Sequence, residues 1–452
     1  MGSFEIGSEA STVLDQEEAA ATSGESENRL SMKPPKNRRV YVVGYDVATA
    51  LGNTFAKTWQ RAVKGESGFR RITRCPVETR SDIVGEIPDW DPGALPFASR
   101  KEVYNWNADF VLLTMAVCLA ALENAGLEMD SESGPRTACL VGSALNGTDA
   151  YRVAMDNYTH RGPFKVSPYL LPNLCANLPA GKAGMLAGFT GPIFSPQGAC
   201  ASGNHAIAMG ARMIRDGDCD FVLAGGVDTC LVPEIVQGFA NMLATISVGP
   251  NDRAWNDPTQ ACRPFSIDRK GIVLAEGCGV VVLAADETLV RYGLTPRAEV
   301  AGVGWTSDAY HFTLPNPKTI IRAIEQAIED AQITPADISY VNAHGTSTAK
   351  GDKTEIECLR TIFNRHLGKI PVSSNKSQVG HTLGASAAIE AALSIEAMQQ
   401  GIVLPTVNHI PDPELADVDV VPNQPRNHRH EFLLSNAFGF GGTNCCIVFK
   451  GV

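Results

Sequence analysis

The sequence predicts an α/β fold built from two similar halves packed together. Three observations carry that prediction. Short apolar runs ending in glycine, such as Thr137–Gly142 and Asp220–Gly226, alternate with helical patterns such as Asp109–Ala125, as buried parallel strands and their covering helices do. The alternation stops at Tyr292-Gly-Leu-Thr-Pro296, which reads as a linker, and then begins again. A chain of 452 residues, 44% apolar and 19% charged, is long enough to fill a large core or two core-forming halves. No sequence repeat is strong enough to demonstrate a duplication by itself.

Taken in order, residues 1 to about 32 hold seven acids against one base, Arg29, and show almost no apolar periodicity. Such a segment cannot bury enough surface to order itself, so a disordered acidic tail is expected. A basic linker follows through Lys33, Lys36, Arg38 and Arg39, so residues 1–38 form the tail and linker. The first half, residues 39–290, opens with the strand Val40–Val43 and a Gly-containing turn. It continues through the helix Asp109–Ala125, the strand Thr137–Gly142, a strand-like run at 191–194 and the helix Ala206–Arg215. The strands Asp220–Gly226 and Gly277–Ala284 complete it. The second half, residues 291–452, restarts with the strand Ala298–Val303 and the helix Thr319–Gln332. The strand Ile338–Ala343, a strand near Val372 and the helix Ala385–Gln400 follow. The strands Phe432–Ser435 and Asn444–Phe449 close it around a Gly-rich turn.

Composition excludes several classes. The tail supplies six of the eleven net negative charges, so the folded part is mildly acidic and nucleic acid is not the expected partner. The longest apolar run, Phe110–Leu122, is too short to span a bilayer and reads as a buried helix, so no membrane association is expected. Twelve cysteines without a C-x-x-C pair or zinc-like spacing indicate free thiols, no metal site and a reducing compartment. With no signal-peptide pattern at the start, a cytoplasmic protein is expected.

The stretch Ser195-Pro-Gln-Gly-Ala-Cys200-Ala-Ser-Gly-Asn-His205 places a cysteine in a turn of small residues that leads into a helix. Unpaired N–H groups and the helix dipole favour negative charge there, so Cys200 is expected to ionise easily and act as a nucleophile. Its plain alternative is a buried structural thiol. His344 ends a strand in Val341-Asn-Ala-His-Gly-Thr-Ser-Thr348, and His381 lies in Asn375-Lys-Ser-Gln-Val-Gly-His-Thr-Leu-Gly384. Residues just beyond strand carboxyl ends are site candidates in α/β folds, whereas a lone loop histidine is as readily structural. Lys376 and Glu390 flank His381 and, taken alone, read as ordinary charges. Asn436-Ala-Phe-Gly-Phe-Gly-Gly-Thr-Asn444 is either a hairpin turn or a loop whose glycines let backbone N–H groups approach a ligand.

Together these segments resemble the β-ketoacyl-acyl carrier protein synthases, condensing enzymes of the thiolase superfamily, and most nearly the elongating type II branch. The resemblance runs from Val40 to Phe449. It rests on Gly198–Gly203, Arg263-Pro-Phe-Ser-Ile-Asp268, Ser307-Asp-Ala-Tyr-His311, Asn342–Thr348 with Gly351-Asp-Lys353, Lys376–Gly384 and Phe438–Asn444. It implies a thiolase-like five-layered αβαβα fold and decarboxylative Claisen condensation of a malonyl thioester with an acyl group. Cys200 would hold that acyl group, while His344 and His381 would bind the malonyl carbonyl and promote decarboxylation. Lys376 and Glu390 would support the histidines. The backbone N–H groups of Cys200 and Phe438 would form an oxyanion hole, and Phe438 would gate the acyl pocket. Thr346, Thr348, Phe438, Gly439, Phe440 and Asn444 would contact substrate or its phosphopantetheine arm. No tightly bound cofactor is implied, because substrates arrive on the phosphopantetheine of acyl carrier protein.

Two features depart from the family pattern. After Arg100-Lys101, where an acidic carrier protein docks in the family, Val103-Tyr-Asn-Trp-Asn-Ala-Asp109 has no cation. Docking is therefore assigned to Lys64, Arg70, Arg71, Arg100 and Lys101, with Arg74 nearby. The pocket segment Val153–Leu171 is atypical at Tyr158, Thr159 and His160, so acyl length is not readable. The resemblance implies a homodimer, or a heterodimer with a related subunit. Two other readings are a thiolase, which needs a second catalytic cysteine near Cys445 and Cys446, and a non-catalytic chain-length subunit, which loses the nucleophile.

Overall fold

The computed structural model describes residues 38–77, 79–95, 97, 101 and 108–452. The acidic tail, Arg100 and residues 103–107 lie outside the described residues. Ten strands make one large mixed sheet. The first five are β1 (Val40–Ala48), β2 (Thr137–Gly142), β3 (Ile193–Phe194), β4 (Phe221–Asp228) and β5 (Gly277–Ala285). The second five are β6 (Ala298–Ser307), β7 (Ile338–Asn342), β8 (Val372–Ser373), β9 (Phe432–Gly439) and β10 (Thr443–Gly451). Several run longer than their apolar stretches imply, because polar residues such as Asp46, Asp228 and Asn436 are buried inside them.

The spatial order is β8-β7-β9-β10-β6-β1-β5-β4-β2-β3. Each set of five therefore lies in the same internal order: first, fifth, fourth, second, third. The pairing sense repeats as well. β1–β5 and β5–β4 are antiparallel while β4–β2 and β2–β3 are parallel; β6–β10 and β10–β9 are antiparallel while β9–β7 and β7–β8 are parallel. Only Tyr41↔Glu299 and Val42↔Ala298 join the halves through β1 and β6. This is the duplication that sequence comparison of the two halves left unproven.

Six helices build the layers: α1 (Asp109–Ala125), α2 (Leu178–Ala187), α3 (Ser202–Arg215), α4 (Pro317–Asp330), α5 (Ala349–Phe363) and α6 (Ser386–Gln400). Three apolar cores separate them. One holds α1 and α2 against the first half's strands, and another holds α4 and α5 against the second half's. The third lies between, where α3 and α6 meet strands of both halves. The result is the five-layered αβαβα arrangement.

Sequence explains the central layer. α6 is buried on nearly every side and is rich in alanine, because a helix between the two halves of the sheet and beside another helix must present small side chains. A Cβ on Gly203 of α3 would lie 2.7 Å from the Ala388 nitrogen, so the two helices cross almost backbone to backbone. Added methylenes in such a contact typically cost about 1–3 kcal/mol. α1, the longest apolar run, ends at Gly126 in a left-handed cap and is a core helix as expected.

Candidate active site

The structural repeat places the chemistry. In each half the third strand leads through a loop, which in the second half includes the short helix Lys376–Val379, to one 3-10 turn and the buried central helix. After β3 the turn is Ala199–Ala201 before α3; after β8 it is Leu383–Ala385 before α6. Both turns open on a residue in left-handed backbone, Ala199 at φ 48° and Leu383 at φ 47°. That strain costs of order 1–3 kcal/mol per residue and is kept where surrounding structure fixes it. Cys200 lies on the first turn, and His381 sits just before the second. His344 follows the carboxyl end of β7.

These three residues, far apart in sequence, line one cleft of about 440 Å3. Cys200 and His381 are 6% and 3% exposed. Cys200 is the one cysteine among the described residues lining the cleft; Cys445 and Cys446 are buried within β10 and do not reach it. The second thiol that a thiolase needs is therefore not at this site. The retained Cys200, open to the cleft, likewise disfavours a non-catalytic chain-length subunit.

The imidazoles stand edge to face with centroids 5.7 Å apart. Burial and the adjacent Lys376 ammonium hold both well below the ordinary histidine range, and His381 further depresses His344. Both are neutral at pH 7. The Nδ1 of His381 lies 3.0 Å from Ser386 Oγ, which in turn lies 3.1 Å from Thr382 Oγ1. When Ser386 donates to Nδ1, the imidazole keeps its proton on Nε2. Lys376 and Glu390 are fully buried and meet at 2.5 Å between Nζ and Oε1. Asn342 Nδ2 also reaches Glu390 at 3.5 Å.

The thiol differs from expectation. Burial pushes Cys200 up to about 11, against the opposing pull of Lys376 and of the Phe440 N–H. At this buried position, desolvation of the thiolate outweighs the helix start and nearby donors. In the Gly-rich hairpin, the N–H that favours the thiolate is that of Phe440, two residues beyond the Phe438 expected as an oxyanion donor. Phe438 still pairs with Asn444 in the β9–β10 ladder, and its ring packs against His344 at 5.4 Å. Phe440 lies in the turn beyond it and stacks on Phe239 at 6.4 Å. Gly439 permits this approach: a Cβ there would lie 2.4 Å from the Gly198 oxygen and 3.1 Å from the Cys200 nitrogen.

The other expected contacts divide. Thr346, Thr348, Phe438, Gly439, Phe440 and Asn444 all line the cleft. The hydroxyls of Thr346 and Thr348 lie 3.0 Å apart, and Thr348 also caps α5 by accepting the Gly351 N–H. The Asn444 amide donates to Asp308 at 2.6 Å, so it positions the hairpin. Of the docking cations, Arg70 pairs with Glu86, and Arg71 pairs with Asp82 while lying over Trp255. Nearby Arg74 pairs with Glu276. Lys64 and Lys101 are exposed but do not line the cleft.

Three buried carboxylates were missed in the sequence. Glu355 accepts the His344 and Gly345 N–H groups at 2.8 Å each and Asn436 Nδ2 at 3.1 Å, fixing the His344 loop. Asp228 accepts the Gly384 N–H at 2.6 Å together with Ser143 Oγ and the Leu145 N–H, tying the second turn to the first half. Asp352 accepts the Phe265 N–H at 2.8 Å. Burial raises Asp228 to about 6 and Asp352 to about 7. The Gly351-Asp-Lys353 motif held a signal for Asp352; Glu355 looks like any helical glutamate.

Two family models together cover most of the chain. The profile described as beta-ketoacyl synthase, N-terminal domain, matches residues 37–288, and that of the beta-ketoacyl synthase C-terminal domain matches residues 297–409. The chain is 33% identical over 419 residues to a 3-oxoacyl-[acyl-carrier-protein] synthase 2 of Staphylococcus aureus (strain COL), covering 92% of this chain and 99% of that protein. It is 34% identical over 420 residues to the protein of that name from Coxiella burnetii, again covering 92% and 99%. Among solved structures, a beta-ketoacyl synthase from Burkholderia phymatum superposes with a TM-score of 0.83 at 30% identity. The ishigamide ketosynthase/chain length factor gives 0.82 at 28%. A type II polyketide ketosynthase in complex with its acyl-carrier protein and bound to the hexaketide gives 0.82 at 26%; each of the three covers 92% of this chain and 100% of the other.

Proposed function

The chain belongs to the β-ketoacyl synthase family, and we propose that Cys200 carries the acyl group in its reaction while His344 and His381 drive loss of CO2. It is a condensing acyltransferase, a 3-oxoacyl-[acyl-carrier-protein] synthase of the kind that serves fatty acid or polyketide synthesis. The observation that carries the residue assignment is the opening of one cysteine and two neutral imidazoles into the same cleft.

In the first half-reaction, Cys200 Sγ attacks the acyl thioester. The carbonyl oxygen gains negative charge within reach of the Cys200 and Phe440 N–H groups, and the carrier thiol leaves with the proton. The buried thiol gives up that proton as it attacks, because burial disfavours a standing thiolate. In the second, the malonyl thioester oxygen accepts N–H donors from His344 and His381 as the C–C bond to carboxylate breaks. The electron pair becomes an enolate that neutral donors in a buried site stabilise. Its carbon attacks the Cys200 thioester, the C–S bond breaks, and the departing sulfur takes up a proton from solvent to restore the thiol. Lys376, buried against Glu390, keeps both rings unprotonated.

The same reading extends to substrates and partners. The acyl and malonyl groups are carried on the phosphopantetheine of an acyl carrier protein, with the arm passing Thr346 and Thr348. A neighbour recorded with its acyl-carrier protein supports this assignment. The chain forms a homodimer through the free edge of β3, which packs against α2, where Met185 is exposed. A heterodimer with a related subunit is the alternative that the chain-length-factor neighbour brings to mind. The two halves divide at 290/291, in keeping with the change of repeat between β5 and β6. The site is cytoplasmic; no helix among the described residues is long and apolar enough to cross a membrane.

The test is a panel of acyl-carrier substrates of different chain length, each mixed with malonyl carrier and enzyme. The expected product is a β-ketoacyl thioester two carbons longer than the primer. Release of free acid or transfer without elongation for every primer would refute the assignment.

A further inference from the structure

We propose that Ser386, backed by Thr382, is a positioning residue for decarboxylation, its hydroxyl holding the proton of His381 on Nε2, where the ring meets the malonyl oxygen; this rests on the role proposed for His381 above. The structural repeat singles this serine out. Each 3-10 turn is followed by a helix whose first residue is a buried serine, Ser202 in α3 and Ser386 in α6. Ser202 Oγ stays with the backbone of its own turn, accepting the Gly198 N–H at 3.0 Å and donating to the Ala199 oxygen at 2.7 Å. Ser386 Oγ instead meets two side chains, His381 Nδ1 at 3.0 Å and Thr382 Oγ1 at 3.1 Å. One position in the repeat thus holds a turn beside Cys200 in the first half and an imidazole of the cleft in the second.

The hydrogens fix the direction of these bonds. Thr382 is fully buried, and among the described residues its hydroxyl has one hydrogen-bond partner, Ser386 Oγ. Were the proton of His381 on Nδ1, that N–H would donate to Ser386 and Ser386 would donate to Thr382. The Thr382 hydrogen would then be buried without an acceptor, which folds avoid. In the other direction Thr382 donates to Ser386, Ser386 donates to Nδ1, and each hydrogen has an acceptor. Nδ1 then accepts, so the one proton of the neutral ring sits on Nε2. His344 has no such neighbour: its Nδ1 is buried with no hydrogen-bond partner among the described residues. The two rings are therefore not equivalent, and His381 is the one whose donor is set before the malonyl thioester binds.

The experiment compares wild type with Ser386→Ala and Thr382→Val, measuring CO2 release from malonyl carrier protein and acylation of Cys200. Ser386→Ala should lower kcat for CO2 release by about tenfold with KM nearly unchanged, because the lost interaction acts in the transition state. Thr382→Val removes the far hydroxyl at nearly constant volume and should lower kcat by about threefold. Acylation of Cys200 should be unaltered in both, which also shows that they fold. In enzyme labelled with nitrogen-15 at histidine, the signals lost on His381→Ala should be those of a ring protonated on Nε2, and Ser386→Ala should move them toward a mixture of tautomers. A ring protonated on Nδ1 in wild type, unmoved signals in Ser386→Ala, an unchanged kcat, or an equal loss of acylation would overturn the proposal. Wild-type CO2 release by His381→Ala would instead refute the underlying catalytic reading of that histidine.

Discussion

His344 and His381 meet edge to face, their ring planes at 86° and their centroids 5.7 Å apart, with the Lys376–Glu390 pair buried close by. A cation beside two imidazoles is an unusual neighbour for histidine. In the mechanism proposed above the rings serve as neutral N–H donors, and a nearby positive charge opposes their protonation.

The first prediction concerns pH. Both histidines lie below their ordinary range, so they remain neutral as pH falls through 6.5. Malonyl decarboxylation, measured as CO2 release, should keep its rate from pH 7.5 down to about 6, where an unshifted histidine would already be largely protonated. A loss of rate that follows a midpoint near 6.5 would show the rings to be unshifted.

Cys200 behaves in the opposite sense. With its thiol raised to about 11, the thiolate fraction increases with pH across the whole accessible range. Alkylation by iodoacetamide should therefore accelerate steadily from pH 7 to 10, about tenfold per pH unit while thiol predominates. A plateau below pH 8 would mean that donors outweigh burial.

Lys376→Met leaves Glu390 buried and unpaired, which typically costs about 3–5 kcal/mol in stability. Adding Glu390→Leu should restore much of the urea midpoint without restoring the low-pH decarboxylation that Lys376 protects. Recovery of both would make the pair purely structural.

Gly439→Ala tests the hairpin's approach, since its methyl would collide with the Gly198 oxygen 2.4 Å away. Displacing Phe440 removes one oxyanion donor, so acyl transfer to Cys200 should slow by about 10²–10³-fold with little change in the melting transition. An unaltered acylation rate would remove the Phe440 N–H from the mechanism.

Local chemistry made much of this site readable in the sequence. Cys200, His344 and His381 sit in short motifs whose small residues and strand ends announce a turn, and Lys376 and Glu390 fall within or beside one of them. What was hidden depends on three-dimensional partners. Glu355 is indistinguishable from a surface glutamate until His344 folds onto it. Phe438 and Phe440 are two residues apart in a Gly-rich segment, and only the turn geometry decides which N–H favours the thiolate. Arg70 and Arg71 read as free cations because Glu86 and Asp82 lie beyond the reach of a local pattern. Likewise the repeat lives in strand order and pairing, which the two halves share without sharing recognisable sequence.

The central claim is that acyl storage and decarboxylation are separate tasks of separate residues in one cleft. Intact-protein mass spectrometry of wild type, Cys200→Ala and His344→Ala/His381→Ala, first with an acyl thioester and then with a malonyl thioester, tests it directly. We expect wild type and the histidine variant each to gain one acyl group, only wild type to discharge it as a β-ketoacyl product, and Cys200→Ala to gain none. An acyl adduct on Cys200→Ala, or a histidine variant that still condenses, would contradict the account.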